Sequence, residues 1–468
     1  MIAGGVVVLI VIAAIAAALQ LDINSYKSKI ETAASEATGL DVSINGRMGL
    51  SFFPFGISVR DIHVANEGSE ILSIERLKLR AELIPLLKKH VKVTGCELVK
   101  PALTIVKDAG GKYNFESTKE ISRKGWRGTA SGLNELKLSK GALVYLDRKT
   151  GQKTELKDIN LVIRDLSIVD TSGDMIKNVS FAGVMDCKEL RRKDLKINSI
   201  KGGIKAEKGV LSLKPLTMDI FGAKGEGDFA ADMTEADAEY KINLNVSKLD
   251  FERLQESFGV PRLISGKGDL AASLTVKEKG GRSLLKGMDG TLSLRGNNLI
   301  SYTMDLDKVL STYETSQKFN LVDVGAFFIA GPLGTAALKG YHYADVYYQA
   351  QGGRGTITQF VSHWKIKDGV ADATDCALAT HHNRVALKGR LNLVSERYDK
   401  VTVALLDDKG CAIITQTVSG PFGSPQIGTV SAIESLAGPI FDLYGKAKRF
   451  IQGGKCEAFY RGSVQQPR

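Results

Sequence analysis

A chain of 468 residues that is 43% hydrophobic and 25% charged, with only 10 prolines, is too apolar to stay disordered and long enough for a large core. Its 63 basic and 52 acidic residues give a net charge of +11 spread along the chain rather than gathered on one element, which argues against nucleic acid as a partner. The five cysteines, Cys96, Cys187, Cys376, Cys411 and Cys456, lie far apart with no C-x-x-C pair, which excludes a metal framework and a dense disulfide scaffold. Free, buried thiols are the expected state, with one long-range disulfide as the alternative.

The first element is an uncharged run from Ile2 to Leu19. At about 1.5 Å per residue it makes roughly 27 Å of helix, enough to cross a hydrocarbon core. Ile2, Val6, Leu9, Ile12, Ile15 and Leu19 are its membrane-anchor residues. The run Ala13 to Ala18 also fits a signal-peptidase substrate, and an uncleaved anchor is preferred. No Lys or Arg precedes it and Lys27 and Lys29 follow, so flanking charge does not set its orientation.

Ser25 to Thr38 then reads as an amphipathic helix, with Tyr26, Ile30, Ala33, Ala34 and Ala37 on one side and Gly39 as its stop. From there the period changes to two. Leu40, Val42 and Ile44 alternate with polar residues, then Met48, Leu50 and Phe52, then Ile57, Val59 and Ile62, with Gly46, Pro54 and Gly56 turning the chain. This grammar predicts an antiparallel meander. It recurs after Gly209, Gly227, Gly268, Gly290 and Gly389, read as strand starts, and the apolar positions that follow, Leu211, Leu213, Phe229, Leu270, Leu292, Leu294, Leu391 and Leu393, are the candidate groove residues. Helices are few: a turn over 84–89, then 250–258, 305–312 and 430–451. In the last of these Ile440 and Leu443, with Lys446, Lys448 and Arg449, form a candidate membrane-surface helix, capping of the final strands being the alternative.

The sequence therefore predicts a mainly β fold: a long twisted antiparallel sheet forming an open groove, or alternatively a two-layer β-sandwich, with an N-terminal transmembrane helix and a few short helices. The expected segments are 1–20 (anchor), 21–120 (helix plus β meander), 121–255 (central β region), 256–428 (C-terminal β region) and 429–468 (amphipathic helix and tail). A strand array with one apolar face must cover that face with another layer or fill it with ligand, and too little helix is present to cover it.

Reactive motifs are absent. There is no G-x-S-x-G, P-loop or H-E-x-x-H. The glycine clusters at Gly225 and Gly266 run into strands where a dinucleotide site needs a helix. His342, His363, His381 and His382, near Asp368, Asp372, Asp375 and Cys376, read as solvated loop residues rather than metal ligands. Tyr341, Tyr343, Tyr347, Tyr348 and Trp364 read as strand packing. No catalytic, cofactor or metal residue is assigned, and the chain is not expected to be an enzyme.

Several stretches together carry a family likeness. They are Thr38 to Gly46, Phe53-Pro54-Phe55-Gly56-Ile57, Val59 to Asn66, Leu83-Ile84-Pro85-Leu86-Leu87, Lys100-Pro101-Ala102-Leu103 and Asp108 to Asn114, followed by Ser265-Gly266-Lys267-Gly268, Leu284 to Gly290, Met304 to Asp307 and Val418 to Pro425. In these the chain resembles the AsmA family over about half its length, departing from it in the missing basic N-terminal flank and in a shorter body than the largest members. The resemblance implies a single-pass inner-membrane protein with its body in the periplasm of a Gram-negative-type envelope. It implies an open β groove for phospholipid acyl chains and a role in outer-membrane biogenesis. The alternative is an assembly or regulatory factor that affects outer-membrane protein targeting through contacts with an envelope protein partner, without lipid carriage.

Overall fold

The computed structural model describes residues 23–52, 55–82, 93–116, 134–168, 175–260, 262–278, 284–302, 305–308, 321–329, 353–432 and 457–467. The chain forms two compact units, one of Met1–Lys193 with Ile197–Lys214, the other of Asp194–Lys196 with Pro215–Arg468. Both are mainly β.

In the first unit the Lys27–Thr38 helix is closed by Gly39, whose φ of 69° no side-chain-bearing residue adopts cheaply. Strands β1 (Asp41–Ile44) and β2 (Met48–Phe52) both pair with β3 (Phe55–Asn66). The ladder continues through β4 (Ser69–Ala81), β5 (Val93–Lys107), β6 (Glu135–Asp147), β7 (Gln152–Ile168) and β8 (Val179–Arg192). The antiparallel meander expected from sequence fails at one pairing: β5 and β6 run parallel, Leu98 beside Leu138 and Leu103 beside Leu143. Parallel neighbours require a crossover of a dozen residues or more, and the stretch between Lys107 and Glu135 supplies it. The sheet is mixed.

A second departure from simple alternation is a line of left-handed residues. Asp61, Lys100, Lys140 and Asp158 have φ of 56°, 50°, 54° and 51° on β3, β5, β6 and β7. Each interrupts its strand as a bulge does, and a bulge bends the strand that carries it. Val59 and Ile62, three positions apart, would face opposite ways on a regular strand. With Asp61 between them they bury into one cluster with Ile44, Met48 and Ile74. The bulges thus keep the apolar side chains on a common face of a bent sheet.

Strands β9 (Leu195–Glu207) and β10 (Val210–Ile220) pair around the turn Lys208-Gly209, both at positive φ. In the second unit β11 (Ala223–Asp232) and β12 (Glu239–Asp250) pair, and β12 is joined across the Phe251–Ser257 helix and the two-residue β13 (Ile264–Ser265) to β14 (Lys267–Lys277). An antiparallel ladder follows through β15 (Met288–Ser301), β16 (Gly355–Lys367), β17 (Val370–Ala379), β18 (Arg384–Asn392), β19 (Arg397–Leu406) and β20 (Ala412–Pro421). The short β21 (Gln426–Ile427) and β22 (Ser431–Ala432) close the edge of β20. Of the glycines read as strand starts, Gly209 does turn the chain, whereas Gly268 lies inside a ladder where a Cβ would stand 2.4 Å from the Phe251 ring.

All the strands belong to one mixed sheet, and its β15 to β19 part is covered on both faces. Leu294, Ser362, Cys376, Leu387 and Val403 form one row across β15 to β19. The Leu321–Ile329 helix lies over it, with the Ser362 hydroxyl donating to the Phe328 carbonyl at 2.6 Å. On the reverse face Val361, Ala377, Ala386 and Ala404 pack under Tyr460 and Val464. That C-terminal strap is fastened at Asp375, which accepts from the Tyr460 hydroxyl at 2.5 Å and the Ser463 hydroxyl at 2.6 Å. Closure here is by a helix and a strap, so this part of the sheet is neither an open trough nor a two-sheet sandwich.

The helix expected over 250–258 forms at Phe251–Ser257, with the Asp250 carboxylate accepting from the Glu252 and Arg253 amides. Its Gln255, 1% exposed, donates to the Phe251 and Ile264 carbonyls and accepts from the Leu263 and Ile264 amides. Replacing Gln255 by Leu strands these four buried backbone groups. The expected cost is about 3 kcal/mol, read as a lower urea midpoint, because an orphaned buried polar group costs about 1 to 3 kcal/mol and relaxation re-pairs some of the four.

Candidate functional site

The first unit has a face that its described residues leave open. Residues paired across neighbouring strands share a face. One row runs Met48, Val59, Leu77, Leu98, Leu138, Leu161, Met185. A second runs Leu50, Ile57, Leu79, Cys96, Leu136, Ile163, and a third Val42, Val64, Leu72, Leu103, Leu143, Leu156, Leu190. Apart from the cluster around Val59 and from Ile163, these side chains are only half-buried. The half-buried part of the first row, Leu77 to Met185, crosses five strands, and four steps of about 4.8 Å give about 19 Å of apolar surface.

The opposite face is polar. Lys78 and Glu97 pair at 3.1 Å, Lys137 lies next in that row, and Arg80 pairs with Glu135. The contrast between the faces follows from the period-two pattern of β4, β5 and β6.

At the β1 and β2 end, polar side chains close the sheet. The Glu31 carboxylate accepts from the Ile44 amide at 2.6 Å, Ser35 Oγ from the Val42 amide at 2.9 Å and Asn24 Oδ1 from the Met48 amide at 2.9 Å. These occupy edge amides that would otherwise recruit another strand. Beside the end of β5, Asn114 accepts from the Val106 amide and donates to the Thr104 carbonyl, so the Asn of the Gly-Lys-Tyr-Asn stretch holds the loop to that strand.

The groove residues chosen from sequence divide. Leu270, Leu292, Leu294, Leu391 and Leu393, 4%, 7%, 4%, 0% and 3% exposed, are buried in the second unit, while Leu211 and Leu213 in the first unit and Phe229 in the second are half-buried. The open rows on β4 to β8 were not singled out, although they carry the same alternation. The anchor residues Ile2, Val6, Leu9, Ile12, Ile15 and Leu19, the 430–451 residues Ile440, Leu443, Lys446, Lys448 and Arg449, and His342, Tyr341, Tyr343, Tyr347 and Tyr348 lie outside the described residues. Among those described, no helix is long and apolar enough to cross a membrane.

His363 lies on β16 opposite Asp375, whereas His381 and His382 are exposed in the turn after β17, and among the described residues no three acidic, histidine or cysteine side chains converge as metal ligands. Trp364 is 1% exposed and donates to Ser362 Oγ at 2.8 Å, a packing role. Cys96, Cys187 and Cys376 are free thiols, but Cys411 is disulfide-bonded, so the minority alternative of the sequence reading holds at this position; Cys456 lies outside the described residues. Spacing could not have revealed it.

The AsmA family model matches residues 1–186 and again 174–376 of the chain. No curated protein matches it.

Proposed function

Since the chain belongs to the AsmA family, which points to an envelope-related role, we propose that it is a membrane-anchored periplasmic protein whose first unit carries phospholipid acyl chains on its open apolar face in support of outer-membrane biogenesis. The observation that carries the reading is the set of half-buried leucine rows running across β4 to β8, backed by a charged reverse face. Exposed apolar surface of that extent is unusual on a protein that meets only water. An acyl chain laid along a row gains about 0.8 kcal/mol for each methylene it buries there. The disulfide at Cys411 fits an oxidising compartment, and the uncharged run 2–19 fits an anchor.

The test is lipid extraction and mass spectrometry of the full-length protein purified in mild detergent. Phospholipid in near-stoichiometric amount is the expected result. Phospholipid no higher than on an unrelated single-span protein prepared alongside would sink the reading. Photocrosslinkers at Leu98 and Leu143 that trapped an envelope protein and no lipid would favour the assembly-factor role instead.

A further inference from the structure

The Lys27–Thr38 helix is turned inside out. Its polar residues Glu31 and Ser35, with Asn24 just before it, face the protein and hold the Ile44, Val42 and Met48 amides. Its apolar residues face away: Tyr26 is 51% exposed, Ile30 is 42% exposed and Ala33 is exposed as well. At 3.6 residues per turn these three form a continuous outward stripe. Lys29 stands on the same side with its ammonium 5.7 Å from the Tyr26 ring centroid. Glu36, also exposed, lies at the far end of the helix. Helices on soluble proteins turn their apolar side inward, and here the edge-capping bonds prevent the helix from rotating to do so.

We propose that this stripe docks on the surface of an anionic bilayer, so that the helix is a membrane-lying collar that holds the β1 and β2 end of the sheet against the lipid. Two features commit the stripe to this occupant. The uncharged run 2–19 ends seven residues before Tyr26, so the bilayer that takes the run is within reach of the helix. A tyrosine flanked by lysine suits the headgroup boundary, where the ring sits at the interface and the ammonium reaches the phosphates. Glu36 at the far end favours a tilt that sinks the Tyr26 end deepest. The proposal rests on the anchored reading for its membrane but not on lipid carriage.

The experiment reconstitutes the full chain in vesicles of phosphatidylcholine with phosphatidylglycerol, in a Cys96→Ser background whose remaining free thiols among the described residues, Cys187 and Cys376, are buried. Nitroxide labels are placed at Ile30→Cys and, on the flank of the helix, at Thr32→Cys. The ratio of oxygen to nickel-chelate accessibility is then compared by electron paramagnetic resonance. A ratio at position 30 several-fold above that at 32 is expected, and a label at Ala33→Cys should shift toward the aqueous value when Ile30→Glu is added. Equal, water-like ratios at 30 and 32 overturn the proposal, as does spin–spin broadening at 30 that marks a second copy of the chain as the occupant. Because Ile30 is exposed, Ile30→Glu leaves the fold intact. Phospholipid measured on the detergent-purified protein before reconstitution separates the two readings: a docked helix on protein that carried no lipid refutes carriage alone, and co-purified lipid with a water-exposed helix refutes docking alone.

Discussion

Leu387→Asp is expected to unfold the second unit. Leu387 is 1% exposed, lies between Cys376 and Val403 in its row, and is roofed by the Leu321–Ile329 helix at Gly325. The dryness of this row is visible in Cys376 itself, whose thiol is pushed up to about 12 chiefly by burial. A carboxylate placed beside it meets the same environment. Losing the leucine packing costs about 2 to 5 kcal/mol, and burying an unpaired charge adds several more. The sum exceeds about 5 kcal/mol and rivals a typical domain's whole stability of about 5 to 15 kcal/mol. Trp364, buried on β16, reports the loss as a red-shifted emission and a collapsed urea midpoint. The sign of the pH effect is fixed. An acid whose folded-state pKa is raised is least harmful at low pH and most harmful above that pKa, so the variant regains stability on acidification. Leu387→Met, which keeps the volume, should cost under about 1.5 kcal/mol. An aspartate variant with a wild-type urea midpoint would mean that the roof over this row is not closed.

How much of this was legible in the sequence depends on the range of the interaction that decides it. Strand identity is local, and Val42, Ile44, Met48, Leu50, Ile57 and Val59 alternate as their shared face requires. Asp250 at the N-cap and Gly39 at the C-cap were equally readable, since each acts within one turn. The Leu321–Ile329 helix was not, because Leu-Val-Asp-Val-Gly-Ala-Phe-Phe-Ile is apolar nearly all round and offers no 3.6-residue stripe. The bulges at Asp61, Lys100, Lys140 and Asp158 were hidden because residues other than glycine hold the positive φ. Above all, Leu211 and Leu387 look alike on their strands. What separates a half-buried leucine from one with 1% exposure is the distant Leu321–Ile329 helix, which is not encoded next to the strand it covers.

That difference in cover makes Leu138→Asp the counterpart of Leu387→Asp. Leu138 lies between Leu98 and Leu161 on the open face and is half-buried, so its removal costs only about 1 kcal/mol of burial and its charge stays within reach of water. The variant should fold with a nearly unchanged urea midpoint. Its effect falls on the ligand. An ionised carboxylate in the middle of the row denies contact to about two methylenes at about 0.8 kcal/mol each, which passes the 1.4 kcal/mol that makes a tenfold change in occupancy. Co-purifying phospholipid should therefore fall at least tenfold by mass spectrometry. Val184→Asp is the control: Val184 is 55% exposed, beside Val162 on the reverse face, and the same charge there should leave bound lipid as in the wild type. If Leu138→Asp retained its phospholipid, or Val184→Asp lost as much, the leucine rows would not be the lipid path, whatever else that face contacts.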